Sequence, residues 1–330
     1  MSRTVRLAVA QAAPVFLDRE ATVEKACALI AEAGARGAAL VAFPESFVPC
    51  YPDWVWTIPA GRGALLRELH AELVANAVSI PGEATERLGR AAREAGVHVA
   101  IGVTERATEG SGATLYNSLL YLGADGSVLG RHRKLVPTGG ERLVWAQGDG
   151  TTLRPHELPF GRVGGLVCWE NYMPLARYAL YAAGVQVYVA ATWDHGEAWL
   201  ATLRHIAREG RVVVMGCGMA LHRDQVPDRL EFKRLYAPEK TWINPGDSAI
   251  VGPNGAFLAG PVREREEILY ADVDLEALQG TRWDLDVAGH YARPDVFELT
   301  VRSAERPLLR TGSDISTELM VVEGMEKTEQ

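Results

Sequence analysis

Cysteine is scarce in this sequence: the 330 residues contain only Cys27, Cys50, Cys168 and Cys217. None forms a C-x-x-C pair, and a disulfide-stapled scaffold needs many more cysteines in a shorter chain. No long apolar run of the kind found in a secretory signal precedes Gln11. We therefore expect a cytoplasmic protein in a reducing compartment, where one of these cysteines can serve as a reactive thiol.

Basic residues are in the minority, with 34 Lys and Arg against 42 Asp and Glu and a formal net charge of −8. This balance, without a basic cluster, predicts no nucleic-acid partner. The longest apolar run, residues 212–221, contains two glycines and is about half the length of a membrane span, so we expect no membrane segment. The remaining composition, 48% apolar and 23% charged, is typical of an ordinary globular enzyme.

Two kinds of binding motif are missing as well. The glycine-containing segment 161–165 lacks the Lys-Ser/Thr end of a phosphate-binding loop. The eight histidines show no H-E-x-x-H or other metal-ligand spacing. The sequence therefore predicts no metal site and no organic cofactor.

Short apolar runs alternate with amphipathic segments along the chain. The runs predict strands near residues 5–10, 39–43, 97–104, 115–122, 127–133, 162–167, 185–190, 212–215 and 267–273. The amphipathic segments predict helices over residues 19–33, 64–77, 83–95, 175–183 and 198–208. Gly96 is expected to cap the third helix and Gly210 to stop the last. Turns at Asp125-Gly126 and at Pro253-Asn254-Gly255 predict hairpins, so the pattern favours a layered α/β protein with mixed sheets.

Three reactive side chains stand at or just beyond the ends of predicted elements: Glu45, Lys134 and Cys168. In open α/β sheets, ligands bind at the carboxyl ends of the strands, so these groups are candidates for one pocket. There a thiolate can attack, a carboxylate can move protons and an ammonium can stabilise negative charge. Each also has a structural alternative: an inert core thiol, a solvated glutamate at a strand end, or one more exposed cation.

The residues around each of these side chains carry a resemblance. Phe43-Pro44-Glu45, the segment 133–142 (RKLVPTGGER) and the segment 168–172 (CWENY) resemble the nitrilase branch of the carbon–nitrogen hydrolase superfamily. The similarity continues through the flanking segments 116–118, 144–150, 174–178 and 289–295. It covers about residues 4 to 300 in the family's order, and separate motifs in the right order are far more specific than one short pattern.

The resemblance implies a four-layer α-β-β-α sandwich and a role for each motif residue. Glu45 is expected to be the general base, Lys134 the stabiliser of the tetrahedral intermediate and Cys168 the nucleophile. Glu141 matches a second glutamate near the thiol, with an ion pair to Arg142 or a neighbour as the alternative. In this family no metal or organic cofactor is required.

The resemblance also implies that the stretch with Trp54 and Trp56 and the segment 191–195 shape the substrate pocket. The pocket residues that we name are Trp54, Trp169, Trp193 and Glu170. Trp169 can further assist through its backbone N–H, and Glu170 is expected to be a hydrogen-bonding partner more than a proton carrier. Core packing explains tryptophans equally well, so the aromatic residues do not select a substrate. Two smaller expectations concern Cys50, predicted near the pocket entrance, and Gly139-Gly140, predicted to leave the pocket floor roomy.

The function that follows is hydrolysis of an organic nitrile to the carboxylic acid and ammonia through a cysteine-bound thioimidate and thioester. An amidase or carbamoylase with the same residues is the alternative within the superfamily. A catalytically silent assembly protein on the same fold is disfavoured, because all three reactive residues are present.

Assembly and domain limits complete the expectations. We expect residues 1–290 to form the catalytic domain and residues 291–330 a C-terminal extension, whose polar end from Arg302 is a possible assembly arm. The resemblance implies a homodimer or larger homo-oligomer that pairs through the helix after the nucleophile. That segment carries Met173, Leu175, Tyr178, Leu180 and Tyr181, although burial within one subunit is the alternative.

Overall fold

The computed structural model describes residues 4–59 and 61–304. Within these residues, six strands form a first sheet in the order β13-β1-β2-β3-β4-β5. Their bounds are β1 (Thr4–Gln11), β2 (Leu40–Ala42), β3 (His98–Arg106), β4 (Leu115–Leu122), β5 (Val128–Arg133) and β13 (Glu267–Asp274). The pairs β1-β2 and β2-β3 are parallel, whereas β3-β4, β4-β5 and β1-β13 are antiparallel. The sheet is therefore mixed, and β2 and β5 run in the same direction.

Seven further strands of the described chain form a second sheet, in the order β10-β11-β9-β8-β7-β6 with β12 beside β11. Their bounds are β6 (His156–Leu158), β7 (Gly161–Val167), β8 (Val187–Thr192), β9 (Val213–Gly218), β10 (Ala220–His222), β11 (Trp242–Val251) and β12 (Phe257–Arg263). The central strands β7, β8 and β9 are parallel, and β11 and β12 form the predicted second hairpin.

Helices cover the outer face of each sheet. Their bounds are α1 (Arg19–Ala35), α2 (Trp54–Thr57), α3 (Gly63–Asn76), α4 (Glu83–Ala95), α5 (Pro174–Ala182), α6 (Glu197–Gly210) and α7 (Leu278–Thr281). The helices α1 and α4 pack on the first sheet, and α5 and α6 pack on the second. The inner faces of the two sheets meet in a shared apolar core. The layers are therefore α-β-β-α, which confirms the predicted fold class.

Alternation along the strands explains why the sequence shows them as continuous apolar runs. In β1, Leu7 and Val9 point into the core between the sheets, while Ala8 and Ala10 face the helices. Successive side chains of a strand lie on opposite faces, and here both faces are buried. No described helix is long and apolar enough to cross a bilayer.

The two predicted helix-ending glycines have different roles. Gly96 adopts a left-handed φ of 66° and caps α4, as predicted. The helix α6 ends at Gly210, as predicted, but the left-handed capping position, with φ 48°, is taken by Arg211. A Cβ on Gly210 would lie 2.3 Å from the ring of Tyr181. This glycine therefore allows α6 to pack closely on α5.

Candidate active site

Glu45 lies just beyond the end of β2, completely buried, with three donors on its carboxylate. Its Oε1 accepts hydrogen bonds from Lys134 Nζ at 2.9 Å and from Asn117 Nδ2 at 2.7 Å. Its Oε2 accepts one from the backbone N–H of Trp193 at 2.7 Å. Because Trp193 follows β8, this carboxylate links the ends of strands from both sheets.

Lys134 directly follows β5 and is buried between two carboxylates. Its Nζ donates to Glu45 Oε1 at 2.9 Å and to Glu141 Oε2 at 2.7 Å. Burial lowers the pKa of Lys134, but the charges of Glu45, Cys168 and Glu141 outweigh that effect and raise it above its usual value. Lys134 therefore stays a cation throughout the range of ordinary assays.

Glu141 lies at the first turn of the short 3₁₀ segment Gly139–Leu143 and is also buried. Besides Lys134, its carboxylate accepts from the backbone N–H of Thr138 at 2.7 Å and from the hydroxyl of Tyr51 at 2.7 Å. Arg142 instead donates from Nε to the carbonyl of Pro137 at 3.0 Å. Glu141 therefore forms its ion pair with Lys134 and not with Arg142, and it lines the same cavity as Cys168.

Cys168 directly follows β7 and opens a 3₁₀ turn, with a φ of 52° that a residue with a side chain seldom adopts. Such strained backbone persists only where the surroundings hold it, and here Asn171 Nδ2 donates to the Cys168 carbonyl at 2.8 Å. The conformation turns the thiol out of the strand and toward the cavity that Cys168 lines.

The Cys168 thiol is protonated at rest. Burial raises its pKa to about 12, the charges of Glu45 and Glu141 add to this, and Lys134 opposes it without prevailing. Burial likewise raises the pKa of Glu45, with the charge of Lys134 offsetting only part of the effect. Burial and the two carboxylates together outweigh the one ammonium, so the protonated form of the thiol is favoured.

An open cavity of about 810 Å³ lies in front of Cys168. Trp169 and Trp193, both predicted for the pocket, line it, as do Glu141 and Glu170. Trp193 stacks on Tyr51 with ring centroids 4.3 Å apart, so this wall is rigid and aromatic. A wall of this kind favours an organic substrate with an apolar body.

Trp54 does not belong to this wall, which corrects the prediction. It is buried in the core against Phe16 and Phe232, whereas Trp56, two residues further on, lines the cavity. Residues two apart in a helical turn point to nearly opposite sides, so α2 sends one tryptophan inward and the other to the cavity.

Two smaller expectations are also corrected. Cys50 is completely buried in the apolar cluster around Trp54 and does not line the cavity. The space beside Gly139 is filled: a Cβ there would lie 3.0 Å from the Trp56 ring, on a residue with φ 49°. The glycine thus allows Trp56 to lie against this loop.

Two residues of the site, Asn117 and Tyr51, had no assigned role. Asn117 donates to Glu45, and Tyr51 connects Glu141 to Trp56, whose Nε1 donates to the Tyr51 hydroxyl at 3.0 Å. Asn117 lies in one of the flanking segments that carry the resemblance, and Tyr51 follows Glu45 closely. In residues 4–59 and 61–304, no group of three or more His, Cys, Asp or Glu side chains is placed to hold a metal ion.

Comparisons with known proteins agree with this fold. The profile of the Carbon-nitrogen hydrolase family matches residues 6–282. An aliphatic nitrilase of Sinorhizobium fredii is 46% identical over 298 residues, covering 90% of this chain and 95% of its own. A bifunctional nitrilase/nitrile hydratase of Lupinus angustifolius is 40% identical, covering 91% and 86%.

The structural neighbours share the fold at much lower identity. One is Saccharomyces cerevisiae Nit3, a nitrilase-superfamily member, with a TM-score of 0.68 and 19% identity over 88% of this chain and 97% of that one. The chain therefore belongs to the carbon–nitrogen hydrolase family, and to its nitrilase branch.

Proposed function

We propose that this protein hydrolyses an organic nitrile to the carboxylic acid and ammonia, with Cys168 as the nucleophile. One observation carries the proposal: a buried lysine joins two buried carboxylates beside a thiol at the wall of an aromatic cavity. Such a cluster holds a proton acceptor, a fixed positive charge and a nucleophile within one dry site. Relatives at 46% and 40% identity are a nitrilase and a bifunctional nitrilase/nitrile hydratase.

In the first half of the reaction, Glu45 accepts the thiol proton while the sulfur of Cys168 attacks the nitrile carbon. A carbon–sulfur bond forms, one π-electron pair moves to the nitrogen, and the proton held by Glu45 passes to that nitrogen. The product is a neutral thioimidate. Lys134 stabilises the negative charge that develops on the nitrogen.

In the second half, water adds to the thioimidate carbon and Glu45 transfers a water proton to the nitrogen. The hydroxyl proton of this adduct then passes to the amino nitrogen as the carbon–nitrogen bond breaks, so that ammonia leaves and a thioester remains on Cys168. A second water then attacks the thioester, the carbon–sulfur bond breaks and the thiol recovers a proton. The overall change is nitrile plus two waters to acid plus ammonia. Glu141 holds Lys134 in position throughout.

The same proposal extends to assembly and location. Exposed apolar side chains surround the start of α5: Trp169, Tyr172 and Leu175 are 53%, 44% and 66% exposed. A two-fold contact uses one such patch twice, which supports a homodimer through α5.

Residues 1–290 as catalytic domain and 291–330 as extension remain a prediction, and positions 305–330 lie outside the described residues. All four cysteines are free, which supports a cytoplasmic location.

Ammonia release from a panel of aliphatic and aromatic nitriles, and from the matching amides, tests the reaction. We expect turnover of nitriles by the unmodified enzyme and none by Cys168→Ala, with the acylated or thioimidate form of Cys168 visible by intact mass. Cys27→Ala is the matched control, because that thiol lies on α1 and away from the cavity. Turnover of amides alone would instead identify an amidase.

Light scattering at several concentrations tests the dimer. We expect Leu175→Glu to yield monomers, because it places a charge in the proposed contact. A monomeric unmodified protein at every concentration contradicts the proposed assembly. Leu143→Glu serves as the control, since Leu143 is an equally exposed apolar residue outside α5.

A further inference from the structure

The buried carboxylate of Glu170 connects the chain segment of the lysine to that of the nucleophile. Its Oε1 accepts a hydrogen bond from the backbone N–H of Leu135 at 2.7 Å. Its Oε2 accepts one from the backbone N–H of Val167 at 2.9 Å. Leu135 directly follows Lys134 and Val167 directly precedes Cys168, so a single side chain spans the two reactive positions.

His132 completes the arrangement from β5. Its Nε2 lies 3.0 Å from both carboxylate oxygens of Glu170, and both side chains are buried. Its Nδ1 lies 3.4 Å from the hydroxyl of Thr152. Because His132 lies on β5 two residues before Lys134 and Leu135 directly follows that lysine, the pair holds the lysine segment from both sides.

The two side chains each favour the charged form of the other. Burial lowers the pKa of His132, but the charge and hydrogen bond of Glu170 outweigh it and raise that pKa above its usual value. Burial raises the pKa of Glu170, yet His132 and the two backbone donors bring it below its usual value. Two titratable groups close to Glu170 are Tyr121 and Tyr188, and burial raises the pKa of both hydroxyls, so they stay neutral.

The turn at Cys168 depends on such support. Its left-handed backbone is held on one side by Glu170 through Val167. On the other side Asn171 donates to the carbonyls of Leu166 at 3.2 Å and Cys168 at 2.8 Å. A strained residue returns to ordinary backbone geometry when such restraints are lost.

We propose that Glu170 and His132 are positioning residues that fix the Cys168 turn relative to Lys134. The hydrogen bonds that the structure shows for the Glu170 carboxylate are all made with protein groups. Glu170 therefore acts on the reaction through its neighbours. The expected effect of this positioning on turnover rests on the proposed function, whereas the hydrogen-bond geometry does not.

The test uses Glu170→Gln and His132→Gln in the full chain. Glutamine at 170 keeps the shape but presents an NH₂ to one of the two backbone donors, so one link between the segments is lost. We expect kcat per titrated Cys168 to fall about 100-fold, the loss that a displacement of about 1 Å causes. Glutamine at 132 keeps a donor toward Glu170, so its loss should be smaller than that of His132→Leu.

A second readout does not depend on how much protein is folded. After water adds to the thioimidate, loss of ammonia leads to acid, whereas loss of the thiolate leads to amide. A displaced Cys168 turn moves the intermediate away from Glu45 and Lys134, so the amide-to-acid ratio should rise in both variants. The control is Leu88→Ala, which opens a cavity under α4 and destabilises the fold without contacting the pair.

The outcomes separate this inference from the proposed function. An unmodified enzyme without nitrile turnover overturns the proposed function, and the rate constant of Cys168 alkylation by iodoacetamide then tests positioning without a substrate. A slower alkylation in Glu170→Gln than in Leu88→Ala supports the inference. Wild-type kcat per titrated site, an unchanged product ratio and an unchanged alkylation rate overturn it.

Discussion

Removal of the buried ammonium should destabilise the protein, and the size of the effect can be argued from the site. In Lys134→Met, the carboxylates of Glu45 and Glu141 lose their shared cation, while both stay buried. Loss of one partner of a buried ion pair costs about 3–5 kcal/mol. Glu45 keeps donors from Asn117 and Trp193, and Glu141 from Tyr51 and Thr138, so we expect the lower half of that range at pH 7.

The pH dependence of this loss has a definite sign. Without Lys134, the pKa of Glu45 in the folded state, which burial already raises, rises further above its value in the unfolded chain. Such a group contributes its stability below the unfolded pKa and loses it as the pH rises through the folded pKa. The difference between Lys134→Met and the unmodified protein should therefore be small near pH 4 and grow toward pH 8.

Urea unfolding followed by tryptophan fluorescence at several pH values measures both effects. Lys25→Met is the matched control. Lys25 lies 2.8 Å from the Glu266 carboxylate in a partly exposed ion pair, and such pairs contribute less than about 1 kcal/mol. Adding Glu141→Gln to Lys134→Met should restore much of the lost stability. Equal free energies of unfolding for Lys134→Met and Lys25→Met at pH 7 would refute the reasoning.

The remaining predictions concern turnover and, for one variant, stability. Glu45→Gln should lower kcat/KM by about 10²–10⁴-fold with an unchanged circular dichroism spectrum, as for loss of a general base, and a smaller effect contradicts that role. Because the pKa of Glu45 is raised, kcat/KM should fall as the pH drops through it, while the raised pKa of Lys134 leaves no loss up to pH 9. A decline between pH 7 and 9 in steady-state rates would show that another group titrates. Tyr51→Phe removes a buried hydrogen bond to a carboxylate and should cost about 1–3 kcal/mol in urea unfolding; an unchanged midpoint refutes its contribution. Gly139→Ala should displace Trp56 and change KM more for bulky nitriles than for small ones, whereas a uniform change would show that this contact does not shape the cavity.

Much of this structure can be predicted from the amino-acid sequence, because strands, turns and motifs depend on residues that are close together in the chain. Strands buried on both faces are apolar over most of their length, so β1, β3 and β8 stand out as apolar runs. The Asp125-Gly126 turn and the Gly96 cap follow from backbone preferences of single residues. The reactive residues are recognisable because each stands in a motif of several residues, and the order of those motifs along the chain identifies the family.

Other properties depend on groups that are far apart in the chain. Trp54 and Trp56 have similar surroundings in sequence, and only the packing of α2 against Phe232 sends the first into the core. The raised pKa of Cys168 is the balance of burial and the charges of Glu45 and Glu141 against the charge of Lys134, and no sequence pattern contains that sum. The link from Glu170 to Leu135 likewise joins residues 35 positions apart. Electrostatic energies and side-chain packing vary steeply with distance. They are therefore determined only when the tertiary structure brings these groups together at the ends of the two sheets.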